Sequence, residues 1–230
     1  MQSAVIGRGS PDPSSFGSVD PRPDRPLFIV IEGLDGSGKT TQIEHLRDRF
    51  QAQGEACYLT AEPTELPTGK FIRSILQHEI TADPRTVAAL YAADRIEHLH
   101  HPEEGILAKL AAGYHVIASR YYFSSLAYQS EFADPGWVAS LNLLAKRTLT
   151  ADVTIFLDLE PKVSMERIAA RGQAAELFET KEKLTHVRES FRLAFDRFGE
   201  GENIHVINAA RDVLAIADDI WNTVRELQLP

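Results

Sequence analysis

The chain has 230 residues, 43% of them hydrophobic and 25% charged, a composition that excludes collagen-like and wholly disordered readings. Its 24 Lys and Arg stand against 33 Asp and Glu, a formal charge of −9 that offers no chain-wide field for nucleic acid. A length of this order predicts one domain with appendages.

The first 26 residues read as a flexible tail, because Pro11, Pro13, Pro21, Pro23 and Pro26 alternate with Gly, Ser and Asp and almost nothing apolar is available to bury. From Leu27 onward, short apolar runs alternate with helical patterns. Leu27 to Glu32, Ala56 to Thr60, His115 to Ser119, Val153 to Asp158 and Ile204 to Asn208 are rich in Val, Ile and aromatics and predict five strands. Their apolarity is continuous rather than alternating, so both faces should be covered, as in a parallel sheet flanked by helices.

Helical spacing recurs over Thr40 to Gln53, Val87 to Leu99, Ile106 to Leu110, Leu141 to Ala145, Val163 to Ala170, Val187 to Phe198 and Val213 to Leu227. The expected architecture is therefore a doubly wound α/β domain over 27–230, a five-stranded parallel sheet whose ligands bind at the C-terminal strand edge. The single cysteine, Cys57, can form neither an internal disulfide nor a Cys-rich zinc site, which fits a reducing cytoplasm. Neither a secretory signal nor a run of about 18 apolar residues is visible, so no membrane partner is expected.

Between the first strand and the first helix, Gly33 to Thr40 reads GLDGSGKT and fits G-x-x-x-x-G-K-[ST], the phosphate loop of nucleoside triphosphate enzymes. Glycines let the backbone turn its N–H groups around a phosphate, and the following helix aims its positive end at the same point. The phosphate-binding set of ATP is thus Gly33, Asp35, Gly36, Ser37, Gly38, Lys39, Thr40 and Thr41. Lys39 would reach the β and γ oxygens, and the Thr40 hydroxyl would ligate Mg²⁺. An Asn-Lys-x-Asp guanine-reading sequence is missing, which weakens a GTPase reading, and the chain is short for a motor or transporter ATPase.

A second ligand is suggested by Arg95 and Arg120, each expected near the strand edge that carries the phosphate loop. Two guanidinium forks there could hold an acceptor phosphate bidentately, a task for which Arg suits better than Lys.

Four segments carry a resemblance: IEGLDGSGKTTQ at 31–42, the Glu62-Pro63-Thr64 run followed by GKFIR at 69–73, LYAADR at 90–95, and SRYYFSSLAYQ at 119–129. In this order and spacing the sequence resembles the thymidylate kinases, P-loop enzymes that move the γ-phosphate of ATP to dTMP, from about Leu27 to about Leu227. The resemblance implies that Tyr91 stacks on thymine, that Arg95 contacts the base and the acceptor phosphate, and that Arg120 holds that phosphate. Asp35 would accept a hydrogen bond from the sugar 3′-hydroxyl. Ser124, Ser125 and Gln129 would read the base edge, Tyr128 would favour deoxyribose, and Glu62 joins the same acceptor set.

The same resemblance implies a lid over about 163–180, in which Arg167 and Arg171 lie four residues apart on one helical face. One of them would stabilise charge on the transferring phosphoryl group. Relatives put that cation in the phosphate loop or the lid, and here the loop position is Gly36. Glu179 matches a family acidic position near the acceptor sugar or metal. With Lys39, Arg120, Arg167 and Arg171 as the catalytic set, the implied reaction is an in-line attack without covalent intermediate. It needs no strong base, because the acceptor phosphate, with a second pKa near 6, is already anionic near pH 7.

Two departures stand out. Relatives usually carry Asp before the arginine of Arg-Tyr, where this chain has Ser119, a hydroxyl that cannot replace a charge near Mg²⁺. Bacterial relatives commonly show Arg before Glu-Pro, where this chain has Ala61, with Arg73 or Lys70 as substitutes. The lid is also poorer in Arg after Gly172. Another nucleotide or nucleoside acceptor, and a nucleotide-binding protein with weak catalysis, stay open as alternatives. The family further implies a homodimer, with the apolar faces at Tyr91 to Leu99 and Leu141 to Leu144 as candidates.

Overall fold

The computed structural model describes residues 25–170 and 180–228. Five strands form one sheet: β1 (Phe28–Gly33), β2 (Cys57–Ala61), β3 (His115–Ser119), β4 (Val153–Asp158) and β5 (Ile204–Asn208). Every pairing is parallel and the order is β2-β3-β1-β4-β5. Successive connections therefore leave β1 toward opposite edges, which opens a crevice at its C-terminal end between β3 and β4. The phosphate loop sits at that crevice.

The helices among the described residues are α1 (Lys39–Ala52), α2 (Pro67–Leu76), α3 (Pro84–His100), α4 (Ile106–Ala111), α5 (Tyr122–Tyr128), α6 (Pro135–Thr148), α7 (Pro161–Ala170), α8 (Lys181–Phe198) and α9 (Val213–Glu226). Their starts are written in local chemistry. Asp83, Asp134, Thr180 and Asp212 each accept a hydrogen bond from a backbone N–H of the following turn, and Pro84 and Pro135 occupy the first helical position.

Two apolar layers sandwich the sheet. One joins Phe28, Val30, Val116 and Phe156 to Phe123, Phe191 and Leu184 of α5 and α8. Its rings meet edge-on or tilted, Phe156 to Phe191 at 4.9 Å and Phe123 to Phe195 at 4.9 Å, contacts worth about 0.5–1.5 kcal/mol each beyond simple burial. The other layer packs Ile29, Ile31 and Ile155 against Ile43, Leu46 and Phe50 of α1 and Ile216 and Ile220 of α9.

The strand expectations agree to within a residue, whereas α2 and α5 were not anticipated and α6 and α8 begin six residues earlier than their apolar spacing suggested. Arg25, inside the span read as tail, donates from Nη1 to Asp152 Oδ2 at 3.1 Å. Among the described residues no helix is long and apolar enough to cross a membrane.

Candidate active site

The phosphate loop owes its shape to glycine. Gly36 and Gly38 have φ of +76° and +95°, and a Cβ on Gly36 would lie 2.8 Å from the Ser164 carbonyl and 3.1 Å from Ile168 on α7. A side chain at position 36 would therefore require α7 to shift. The same α7 seats the loop, with Ser164 Oγ donating to the Asp35 carbonyl. Lys39 Nζ turns back over the loop, donating to the carbonyls of Leu34 at 2.8 Å and Gly33 at 3.1 Å. Thr40 is exposed at the start of α1, Thr41 is half-buried, and Ser37 is buried.

Glu32, the last side chain of β1 before the loop, is fully buried and organises the start of α5. It accepts from Tyr121 N at 2.9 Å, Ser124 N at 3.1 Å and Ser124 Oγ at 2.6 Å. Burial raises its pKa, against the opposing pull of the Ser124 hydrogen bond and Arg120.

Arg120 follows β3 with φ +71°, a left-handed conformation that costs a non-glycine residue about 1–3 kcal/mol and gathers at functional sites. Its guanidinium donates to Asp35 Oδ1, to the Gly33 carbonyl at 3.3 Å, to Ser124 Oγ at 3.2 Å and to Tyr128 Oη at 3.3 Å. It also lies 4.9 Å from the Tyr128 ring centre. Burial alone would raise the Asp35 pKa, but Arg120 and Lys39 outweigh it and hold the carboxyl at about 2.

All nine residues assigned to the acceptor from sequence line one cavity of about 110 Å³, together with Pro63 and Leu76. Asp35 and Arg120 form the side it shares with the phosphate loop. Tyr91, on α3, forms part of its wall, its phenol pushed up to about 12 by burial. Arg95 is the largest fully buried side chain. Its Nη1 donates to Asn142 Oδ1 and, at 3.1 Å, to Ser125 Oγ; its Nη2 donates to Glu62 Oε2 at 2.5 Å and the Tyr121 carbonyl at 3.1 Å. Nε of Arg95 and Oε1 of Gln129 are buried and meet no partner among the described residues. A donor and an acceptor thus stand unsatisfied on residues lining the same cavity, which fits a ligand that supplies the complementary pair.

The Glu62–Glu65 loop that closes this cavity begins with a cis Glu62–Pro63 bond. Asp94 accepts from Thr64 N at 2.9 Å and Thr64 Oγ1 at 2.5 Å, while Arg73 donates to the carbonyls of Thr64 at 2.5 Å and Pro63 at 2.6 Å. Gly69 passes so close beneath that a Cβ would stand 2.5 Å from Thr64 N. Arg73, offered as a substitute for the arginine missing at Ala61, is thus turned onto this loop; Lys70 is exposed on α2.

Ser119 ends β3 outside the acceptor cavity, lining a second one with Thr40 and Glu44. Arg167 Nη2 donates to the Ala209 carbonyl at 3.0 Å. Arg171 and Glu179 lie outside the described residues. Sequence reasoning assigned no role to Glu32, Asp94 or Asn142. Glu32 carried one signal, a carboxylate closing an otherwise apolar strand, while Asn142 sits among leucines with nothing local to mark it.

A phosphate loop that shares a carboxylate–guanidinium pair with a neighbouring cavity at a sheet switch point is the arrangement of a phosphoryl-transfer kinase. Comparison with known proteins narrows the class. The family model described as thymidylate kinase matches residues 31–220. A probable thymidylate kinase of Pyrococcus horikoshii is 39% identical over 207 residues, covering 87% of this chain and 97% of the relative. The thymidylate kinase of Bifidobacterium longum is 36% identical over 209 residues, covering 87% and 98%, and that of Leptospira borgpetersenii 34% over 184, covering 80% and 86%. This chain belongs to the thymidylate kinase family.

Proposed function

We propose that the enzyme transfers the γ-phosphoryl group of Mg-ATP to dTMP, giving dTDP and ADP. The observation that carries this reading is the Asp35–Arg120 pair, which belongs at once to the phosphate loop and to the acceptor cavity. A donor triphosphate cradled on the loop and an acceptor phosphate held by Arg120 would then meet along one line, which removes most of the entropic cost of bringing them together.

Arg120 lies against the phosphate loop and takes the acceptor phosphate, while Arg95, deeper in the cavity wall, offers Nε to the base. A thymine edge supplies both a carbonyl acceptor and an N–H donor. These complement Arg95 Nε and Gln129 Oε1, with Ser124 and Ser125 beside them and Tyr91 against the ring. Asp35, ionised across the physiological range, accepts from the 3′-hydroxyl, and Tyr128 crowds the 2′ position. Lys39 and a lid arginine, Arg167 or Arg171, neutralise charge as the phosphoryl group moves.

Among the described residues no three His, Cys, Asp or Glu side chains group as a metal cage. An exposed hydroxyl at Thr40 suits a hard cation that keeps waters and leans on substrate phosphates, so Mg²⁺ fits here with Thr40 as its protein ligand. When bound it supplies charge neutralisation at the phosphates. The reading includes the cytoplasm as the place of action, on the strength of the lone Cys57. It also includes a homodimer formed through α6, where Trp137, Leu143 and Leu144 remain exposed.

The test is ADP release against a panel of dTMP, dUMP, dCMP, dGMP and free nucleosides. The reading expects dTMP to have the highest kcat/KM; background rates with dTMP, or a faster different acceptor, would overturn it.

A further inference from the structure

Helix α3 presents Tyr91, Asp94, Arg95 and His98 at relative positions 0, 3, 4 and 7, a spacing that puts them along one face. The first three are already engaged, at the acceptor cavity or on the loop that closes it. His98 is left over: 2% exposed, one turn beyond Arg95, and outside the acceptor cavity. It lines instead the second cavity, of about 520 Å³, on the β2 side of the Glu62 loop.

Its ring is held at both nitrogens. Nδ1 lies 3.1 Å from Glu62 Oε1 and Nε2 lies 2.7 Å from Thr60 Oγ1. Glu62 is itself buried, and Arg95 and His98 outweigh burial to lower its pKa, so it stands as a carboxylate and can only accept. Nδ1 therefore carries a proton and donates to Oε1, while Oε2 receives Arg95 Nη2 at 2.5 Å. Thr60, His98, Glu62 and Arg95 make a continuous line from strand β2 to the acceptor cavity.

We propose that His98 is a positioning residue for the acceptor nucleotide, acting through Glu62 on Arg95. The terminal torsion of a glutamate is broad and nearly unrestrained by its own chain. With one oxygen pinned by His98, the carboxylate plane is fixed and the other oxygen stays on Nη2. Without that donor, a buried carboxylate oxygen is left unpaired and the group turns to find a partner, carrying the guanidinium with it. The line ends on Arg95 in the acceptor cavity, so the effect falls mainly on the acceptor. This proposal rests on the dTMP reading above.

Three variants separate the ring's packing from its donor. His98→Leu removes both polar contacts; His98→Asn keeps an N–H donor near the Nδ1 position; His98→Gln keeps one near Nε2 only. Steady-state kinetics should show KM for dTMP rising about tenfold in His98→Leu and His98→Gln, the loss of one hydrogen bond to a charged group. His98→Asn should recover to within about threefold, and KM for ATP should change less than twofold throughout. The proposal is overturned by an unchanged KM for dTMP in His98→Leu, by KM values for dTMP and ATP that rise together, or by Asn and Gln variants that behave alike. If His98→Leu fails to fold, the Asn and Gln pair decides on its own. Wild-type enzyme without dTMP turnover would contradict the functional reading instead, which keeps the two failures distinct.

Discussion

Arg120 gathers four partners: the Asp35 carboxylate, the Gly33 carbonyl, the Ser124 hydroxyl and the Tyr128 phenol. Its left-handed backbone is secured by its own N–H, which donates to Ile31 O at 3.1 Å and so ties it to β1. The pairing makes a pH prediction. The folded Asp35 pKa, about 2, lies below the ordinary 3.8, so the pair's contribution to stability is complete above about pH 4 and is lost as pH falls through about 2. Chemical denaturation of wild type and Asp35→Asn from pH 6 to pH 2 should show the difference between them shrinking over that lower interval. A difference that stays flat to pH 2 would contradict the assigned pairing. Asp35 is partly exposed, so solvent and salt screen the effect.

Elements were legible where burial leaves a one-dimensional trace. The strands of a doubly covered sheet are continuously apolar, and β3, β4 and β5 were read to the residue. Helix α5 was not, because all seven of its residues, YFSSLAY, are buried and no polar face remains to set a helical period. Helix α2 was not anticipated either; Pro67 is suited to the first helical position and Gly69 is demanded by the Thr64 backbone above it. The Gly69→Ala variant tests that reading: forced separation of α2 from the Glu62 loop should cost about 1–3 kcal/mol in urea unfolding and raise KM for dTMP. Wild-type values for both would show that the loop tolerates the extra methyl. The phosphate loop was readable from pattern and context, and the family resemblance picked out residues that the fold brings to one cavity. Glu32, His98 and Asn142 were not, since their roles exist only once distant elements meet.

At the scale of the molecule, the net charge of −9 conceals how the site binds anions. Glycine-shaped backbone, Lys39 and Arg120 are brought together at one crevice, a local arrangement that the chain-wide charge does not report. The exposed Trp137, Leu143 and Leu144 give the whole-molecule prediction. Sedimentation equilibrium should return twice the 25.6 kDa chain mass, and Leu144→Glu should halve it; a wild-type monomer would contradict the α6 dimer. On this reading, one crevice joins the two nucleotides for direct transfer. A single-turnover experiment with γ-labelled ATP and unlabelled dTMP tests it most directly. Label should pass to dTDP in the wild type, with the rate falling at least about 100-fold in Lys39→Ala. Label appearing as inorganic phosphate, or transfer that Lys39→Ala leaves intact, would contradict it.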